Sequence, residues 1–166
     1  KNTSLETLPK SFGTLKSLKK VEIYQSPLNR LPESIGNLES LEEIKIWNGK
    51  LKFLPNSIGN LKNLLKLYII SNKLEELPPS IGNLSSLKQL ALGLNKLKSI
   101  PISMGKLTSL ERLELNDNYL IKLPESLKLL KNLKTLDFTY NRITTIPKWL
   151  KKKKKDGTRI TPKITT

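Results

Sequence analysis

The stretch LKQLALGLNKLKSIPISMGKL, Leu87 to Leu107, decides how the rest of the chain is read. Leu90 and Leu92 alternate about Ala91, the period of a short strand with one buried face. Beyond Asn95 and Leu97 the alternation stops. Ile100-Pro101 then opens a return segment, where proline fixes φ and needs no donor and Gly105 permits close packing. A lone strand cannot satisfy its own backbone, so this unit requires neighbours of its own kind. They are present on both sides, because Pro9, Pro32, Pro55, Pro78, Pro101, Pro124 and Pro147 recur every 23 residues, each preceded by Leu or Ile.

Aligned on those prolines, full copies begin at Leu18, Leu41, Leu64, Leu87, Leu110 and Leu133. Residues 1–17 then form a partial N-terminal repeat or cap, residues 18–150 six repeats, and residues 151–166 a basic C-terminal cap or tail. The strand pair returns as Val21/Ile23, Ile44/Ile46, Leu67/Ile69, Leu113/Leu115 and Leu136/Phe138. Stacked copies predict one parallel sheet, with the other half of each repeat returning over its far face in short 3₁₀ or α turns. Asn72, Asn95, Asn118 and Asn141 fall where the chain leaves the sheet for a buried turn, whose amides and carbonyls an Asn side chain can partner. The first two copies carry Ser26-Pro27 and Gly49 there. Their turns are expected to be looser, and the adjoining edge more adaptable.

Written out, the unit is L-x-x-L-x-L-x-x-N-x-L-x-x-I-P-x-x-M-G-x-L, and the other copies follow it. This pattern resembles the leucine-rich repeat proteins over residues 5 to about 150. The L-P-x-S-I-G-x-L half is most similar to the 23-residue class found in plant intracellular proteins, animal Ras-pathway scaffolds and bacteria, pathogenic spirochaetes included. Richness in Lys, Asn and Ile favours an AT-rich bacterial genome. The resemblance implies an α/β solenoid, a curved horseshoe with its parallel sheet on the concave face and short turns on the convex one. It also implies a hydrogen-bonded asparagine ladder and a role in binding other proteins, host proteins if the source is a pathogen.

Composition narrows the chemistry. With no Cys and no His in 166 residues, the chain has no thiolate nucleophile, imidazole base, disulfide or ordinary zinc site. No cofactor is expected. Lack of Cys suits a cytoplasmic protein and a secreted or cell-surface bacterial one alike. No apolar run is long enough to span a bilayer, and Lys1 is no initiator, so the chain is expected to have been cut before it. The formal charge of +16, from 30 Lys and Arg against 14 Asp and Glu, favours polyanions such as nucleic acid, acidic glycans (glycosaminoglycans) or anionic lipid, met through a basic convex face and a Lys-rich tail.

Since the repeated positions are explained by core and turn, function is sought in the variable ones. One outward column reads Tyr24, Trp47, Ile70, Gly93, Asn116, Thr139. With Tyr68, Ala91 and Leu94 beside it, and Leu65 at the other edge, it predicts an apolar aromatic patch over the first four rungs, ~4.8 Å apart. Tyr24, Trp47, Tyr68, Ile70 and Leu94 are its candidate anchors for a protein partner. The C-terminal half is acidic, with Glu111, Glu114, Asp117 and Asp137. Glu114 and Asp137 occupy one column on adjacent rungs, which admits a cation site, a glycosidase-like acid and base pair, a patch for a basic partner, or a solvated network neutralised by Arg112 and Lys134. Lys151, Lys152, Lys153, Lys154 and Lys155, joined by Lys148, Arg159 and Lys163, form a candidate polyanion grip, or equally a solvated helix end.

The ends complete the expectations. Leu5, Leu8, Phe12 and Leu15 look like half a cap, whose uncovered core could drive weak self-association. At the other end Trp149 and Leu150 precede Thr158-Arg159-Ile160-Thr161, a candidate edge strand that Pro162 would terminate.

Overall fold

The computed structural model describes residues 6–161. Leu5, Pro162 and Lys163, named above, lie outside the described residues. Seven parallel strands form one sheet in chain order: β1 Lys20–Tyr24, β2 Glu43–Trp47, β3 Lys66–Ile70, β4 Gln89–Ala91, β5 Arg112–Glu114, β6 Thr135–Asp137 and β7 Arg159–Thr161. Val21, Ile44, Leu67, Leu90, Leu113 and Leu136 stand in register, each 23 residues from the last. The sheet lines one face of a solenoid of stacked repeats, the face that the resemblance makes concave.

Every return segment but the last described one is a five-residue 3₁₀ turn opened by its proline, as in Ile102–Lys106 after Pro101 at φ −69° and ψ 147°. The turns stack through glycine: a Cβ on Gly105 would stand 2.5 Å from the Ser126 carbonyl oxygen. The last return differs. It is an α-helix, α1 Lys148–Lys155, and it delivers Ile160 opposite Leu136 after a step of 24 rather than 23 residues. An α-helix rises ~1.5 Å per residue against ~2.0 Å for a 3₁₀ turn, so more residues cover the same ground.

Between sheet and turns lies a single apolar core in which Leu90, Leu92, Leu97, Met104 and Leu107 are wholly buried. The asparagine ladder crosses it. Asn95 accepts from the Leu74 amide at 3.0 Å and donates to the Ile69 and Leu92 carbonyls at 2.7 and 3.0 Å. Asn118 repeats this on Leu97 and Leu92 one rung later. Each asparagine therefore reaches back to serve the preceding rung. That geometry corrects the expected looseness of the second copy: Asn72 accepts from the Leu51 amide at 3.2 Å and so closes the turn holding Gly49. In the first turn Ser26 Oγ accepts from the Leu28 amide at 3.3 Å.

The candidate edge strand at residues 158–161 is present as β7, and Thr158 ties its start to the Leu133 carbonyl at 2.8 Å. Among the described residues no helix is long and apolar enough to cross a membrane.

Candidate functional site

Strand alternation turns residues 20, 22 and 24, and their equivalents, toward the concave face. Trp47 stacks edge-on against Tyr24, ring centroids 5.5 Å apart at 87°. Tyr24 is exposed while Trp47, Tyr68 and Ile70 are half-buried. The Trp47 indole N–H is covered and meets no acceptor among the described residues. Trp47 thus contributes to sheet packing as well as to surface. Tyr68 donates its hydroxyl to Gln89 Oε1, and the Lys45 ammonium lies 5.8 Å from its ring centre. Burial pushes the Tyr68 phenol above its ordinary pKa, so it stays a protonated donor.

The side chain shrinks on the fourth rung to Ala91, while the space over Gly93 is filled by Asn116, whose Oδ1 would stand 2.7 Å from a Cβ there. The result is a shallow depression of about 230 Å³ lined by Trp47, Tyr68, Ile70, Gln89, Ala91, Arg112 and Glu114. Its one wall is aromatic and aliphatic, the other carries a guanidinium and a carboxylate, and Ala91 lies at its floor. Periodicity treated Ala91 as one more apolar member of the patch. The available signal was the drop in side-chain size down one column, from Tyr68 to Ala91.

The expected division into an apolar N-terminal half and an acidic C-terminal half is too simple. Beside the aromatic column the first two rungs carry an alternating ion network, in which Lys20 meets Glu22 at 2.8 Å and Lys45 meets Glu43 and Glu22 at 2.9 and 3.4 Å. A hydrogen bond from Lys20 holds the Glu22 carboxyl below its usual range. Burial acts to raise Glu43, but Lys45 and Lys20 outweigh it and hold that carboxyl low as well. In the C-terminal half Glu114 and Asp137 face one another in register. Glu114 is bound by Arg112, Nε at 2.8 Å. Asp137 accepts from the Thr139 amide and hydroxyl at 2.9 and 2.8 Å. Lys134 pairs with Glu111 at 2.6 Å. Among the described residues no cluster of three or more acidic side chains could hold a metal ion.

Leu94 leaves the patch for the rim. It belongs to a column that periodicity did not single out, Gln25, Asn48, Ser71, Leu94, Asp117 and Tyr140, all at φ between 50° and 57°. The left-handed conformation turns the chain out of the sheet at every rung, and a leucine there is uncommon. Leu94, Tyr119, Ile121 and Tyr140 expose large apolar area on this C-terminal rim.

The basic tail also needs correction. Lys153 falls in the column of the core leucines Leu107 and Leu130; it is buried and donates its ammonium to the Leu130 carbonyl. Burial lowers its pKa. Lys151, Lys152, Lys154 and Lys155 stay exposed on the helix surface, so the run is not a continuous grip.

An open sheet face on a stacked solenoid defines a repeat scaffold, and comparisons with known proteins place it. A leucine-rich repeat region model matches residues 44–118, and a leucine-rich repeat model matches residues 132–152. A leucine-rich repeat protein of Leptospira interrogans is 33% identical over 89% of this chain, with a TM-score of 0.64. The Arabidopsis receptor kinase HAESA, solved with the peptide hormone IDA and the co-receptor SERK1, is 31% identical over 81%, with a TM-score of 0.69. An internalin of Listeria monocytogenes shares the fold, with a TM-score of 0.73 over 96% of this chain at 18% identity. A search of curated proteins gave no match. The chain spans 43%, 24% and 52% of the three solved chains respectively. It belongs to the leucine-rich repeat proteins, whose fold commonly serves as a protein-interaction scaffold.

Proposed function

We propose that this chain is a non-catalytic interaction module that takes a segment of a protein partner on its concave face. An apolar side chain of the partner seats over Ala91, against Tyr68, Ile70 and Trp47, and a polar group beside it engages Arg112 or Glu114. The observation that carries this reading is the depression itself, an apolar wall facing a charged one on a rigid sheet that loses little conformational freedom on binding. Tyr24 extends the apolar wall toward the N-terminus, and Leu94 extends it across the rim. The plant receptor's peptide hormone complex supports a peptide as ligand. The 33% identity of this chain to the Leptospira protein fits a bacterial source, with a host protein as partner if that source is a pathogen.

Residues 1–17 and 151–166 are proposed as end caps flanking the six repeats of residues 18–150. The carboxylates Glu114 and Asp137 are read as part of the polar wall and its surroundings. Each is already engaged, by Arg112 and by Thr139, and an open sheet gives a carboxylate little desolvation for acid and base work.

Selection of peptides from a random display library on the wild-type chain tests the reading. Selected peptides are expected to bind the Trp47→Ala/Tyr68→Ala variant at least tenfold more weakly, from a loss above ~1 kcal/mol at each anchor. The variant's melting curve checks that it is folded, and Arg112→Ala, an exposed change, gives a second reading. Peptides that bind both folded variants as tightly as wild type would overturn the proposal.

A further inference from the structure

We infer that the flank where the chain leaves the sheet is a docking surface for a linear sulfated glycan, gripped by a comb of cations formed by Lys50, Lys73, Lys96 and Arg142. The four occupy one repeat position, interrupted only by Tyr119, and all are exposed. The concave depression plays no part in this surface.

The asparagine ladder makes the comb rigid. The amides of Lys73, Lys96 and Arg142 each donate to a carbonyl of the preceding rung, those of Leu51, Leu74 and Leu120, at 2.9 Å. The residues following Lys50, Lys73 and Lys96 are held by Asn72, Asn95 and Asn118. The cations are therefore carried on backbone fixed at the rung spacing, on the order of 4.8 Å.

Like charges directly opposed on neighbouring rungs repel. On the concave face the chain relieves that repulsion by alternating Lys20, Glu22, Glu43 and Lys45. On the flank it does not. No carboxylate pairs with Lys50, Lys73, Lys96 or Arg142 among the described residues; two positions further on Lys52 and Lys98 flank Glu75, so the excess of charge lies in the row itself. Fold stability gains nothing from such a row, whereas a polymer of closely spaced anions neutralises it and releases its own counterions. Single-stranded nucleic acid would call for a series of stacking rings. At the comb position the ring is Tyr119, its face taken by the Arg142 guanidinium 4.6 Å from the ring centre, and the exposed rings nearby in sequence, Phe53 and Tyr140, belong to different columns and form no series. Charge without a series of stacking rings favours sulfates on a glycan.

Heparin is the probe, titrated into the full chain at 50 and 200 mM salt. The variant Lys50→Ala/Lys73→Ala/Lys96→Ala is compared with a charge-matched control, Lys106→Ala/Lys131→Ala/Lys152→Ala, drawn from exposed lysines off the flank. Melting curves confirm that both are folded. The comb variant is expected to lose at least tenfold in affinity and to flatten the log–log salt dependence by about 2 units. The control should change less than threefold. Equal losses in both variants would reduce the effect to bulk charge and overturn the inference. Single-stranded DNA bound as tightly as heparin, with the same dependence on the comb, would overturn the glycan as occupant.

Discussion

The two ends of the stack meet one physical problem differently. At the N-terminal end Leu15 is 49% exposed, although its counterparts Leu38, Leu84 and Leu107 are wholly buried. Leu8, Phe12 and Leu18 pack only partly onto the core, and among the described residues β1 pairs with β2 alone. At the C-terminal end Trp149, Leu150 and Ile160 are buried and β7 continues the sheet. The sealed end is the 23-residue template altered at a few positions: Trp149 where Ser126 stands, Lys151 in the glycine column, Lys153 in the leucine column. Ending a solenoid takes a longer return helix and a side chain that is apolar along its stem and polar at its tip. Lys153 meets that need, its ammonium reaching the last 3₁₀ turn's neighbouring carbonyl at Leu130.

The difference can be tested by deleting equivalent bulk at each end. Leu150→Ala removes a fully buried side chain and is expected to cost ~2–5 kcal/mol. Leu15→Ala, half in solvent, should cost about 1 kcal/mol or less. Urea denaturation of the two variants gives the comparison, and similar losses would mean that the N-terminal end is sealed too.

A smaller contrast lies in the turns. Asn118 bridges two rungs through the Leu97 amide and the Leu92 and Leu115 carbonyls. Asn118→Ala is expected to cost ~2–3 kcal/mol, since it strands buried backbone groups. Ser26→Ala removes the bond that Ser26 Oγ accepts from the Leu28 amide, a local contact within one turn, and should cost less than Asn118→Ala. Shifts in the urea midpoint at unchanged slope measure both.

The smallest effect expected is in acid. Glu22 and Glu43 have carboxyls held below their ordinary range in the folded chain. Their contribution is complete above the unfolded carboxylate pKa and fades as pH falls through the lower folded values. Melting temperature should therefore drop between pH 5 and 3, less so in Glu22→Gln/Glu43→Gln, and the difference should shrink with salt because Lys20 and Glu22 are exposed and Glu43 and Lys45 only half-buried. An unchanged pH profile in the double variant would remove the network from the stability of the N-terminal rungs.

Most of the fold was legible in the sequence because a strict period repeats each local preference six times. Prolines placed the turns, leucines the core, and Asn95 and its counterparts the ladder. What escaped were relations between copies. That Asn72 serves the Gly49 turn depends on which neighbour a side chain reaches, and the period alone gives no direction. That Lys153 is buried could have been read from its place in the leucine column, but five consecutive lysines read first as a solvated run. The depression over Ala91 is an absence of side chain, visible only when the columns are compared for size. The left-handed conformation of Leu94 had only a faint signal, the Asn48 and Asp117 of its column, since that column holds no glycine.

If the stack is held from its sealed end and opens from the other, amide hydrogen exchange resolved by strand measures it directly. Protection should be weakest in β1 and highest from β3 to β6, so that the depression rests on the slowest-exchanging rungs. Exchange in β1 as slow as in β5, or opening that begins at α1 and β7, would contradict the account.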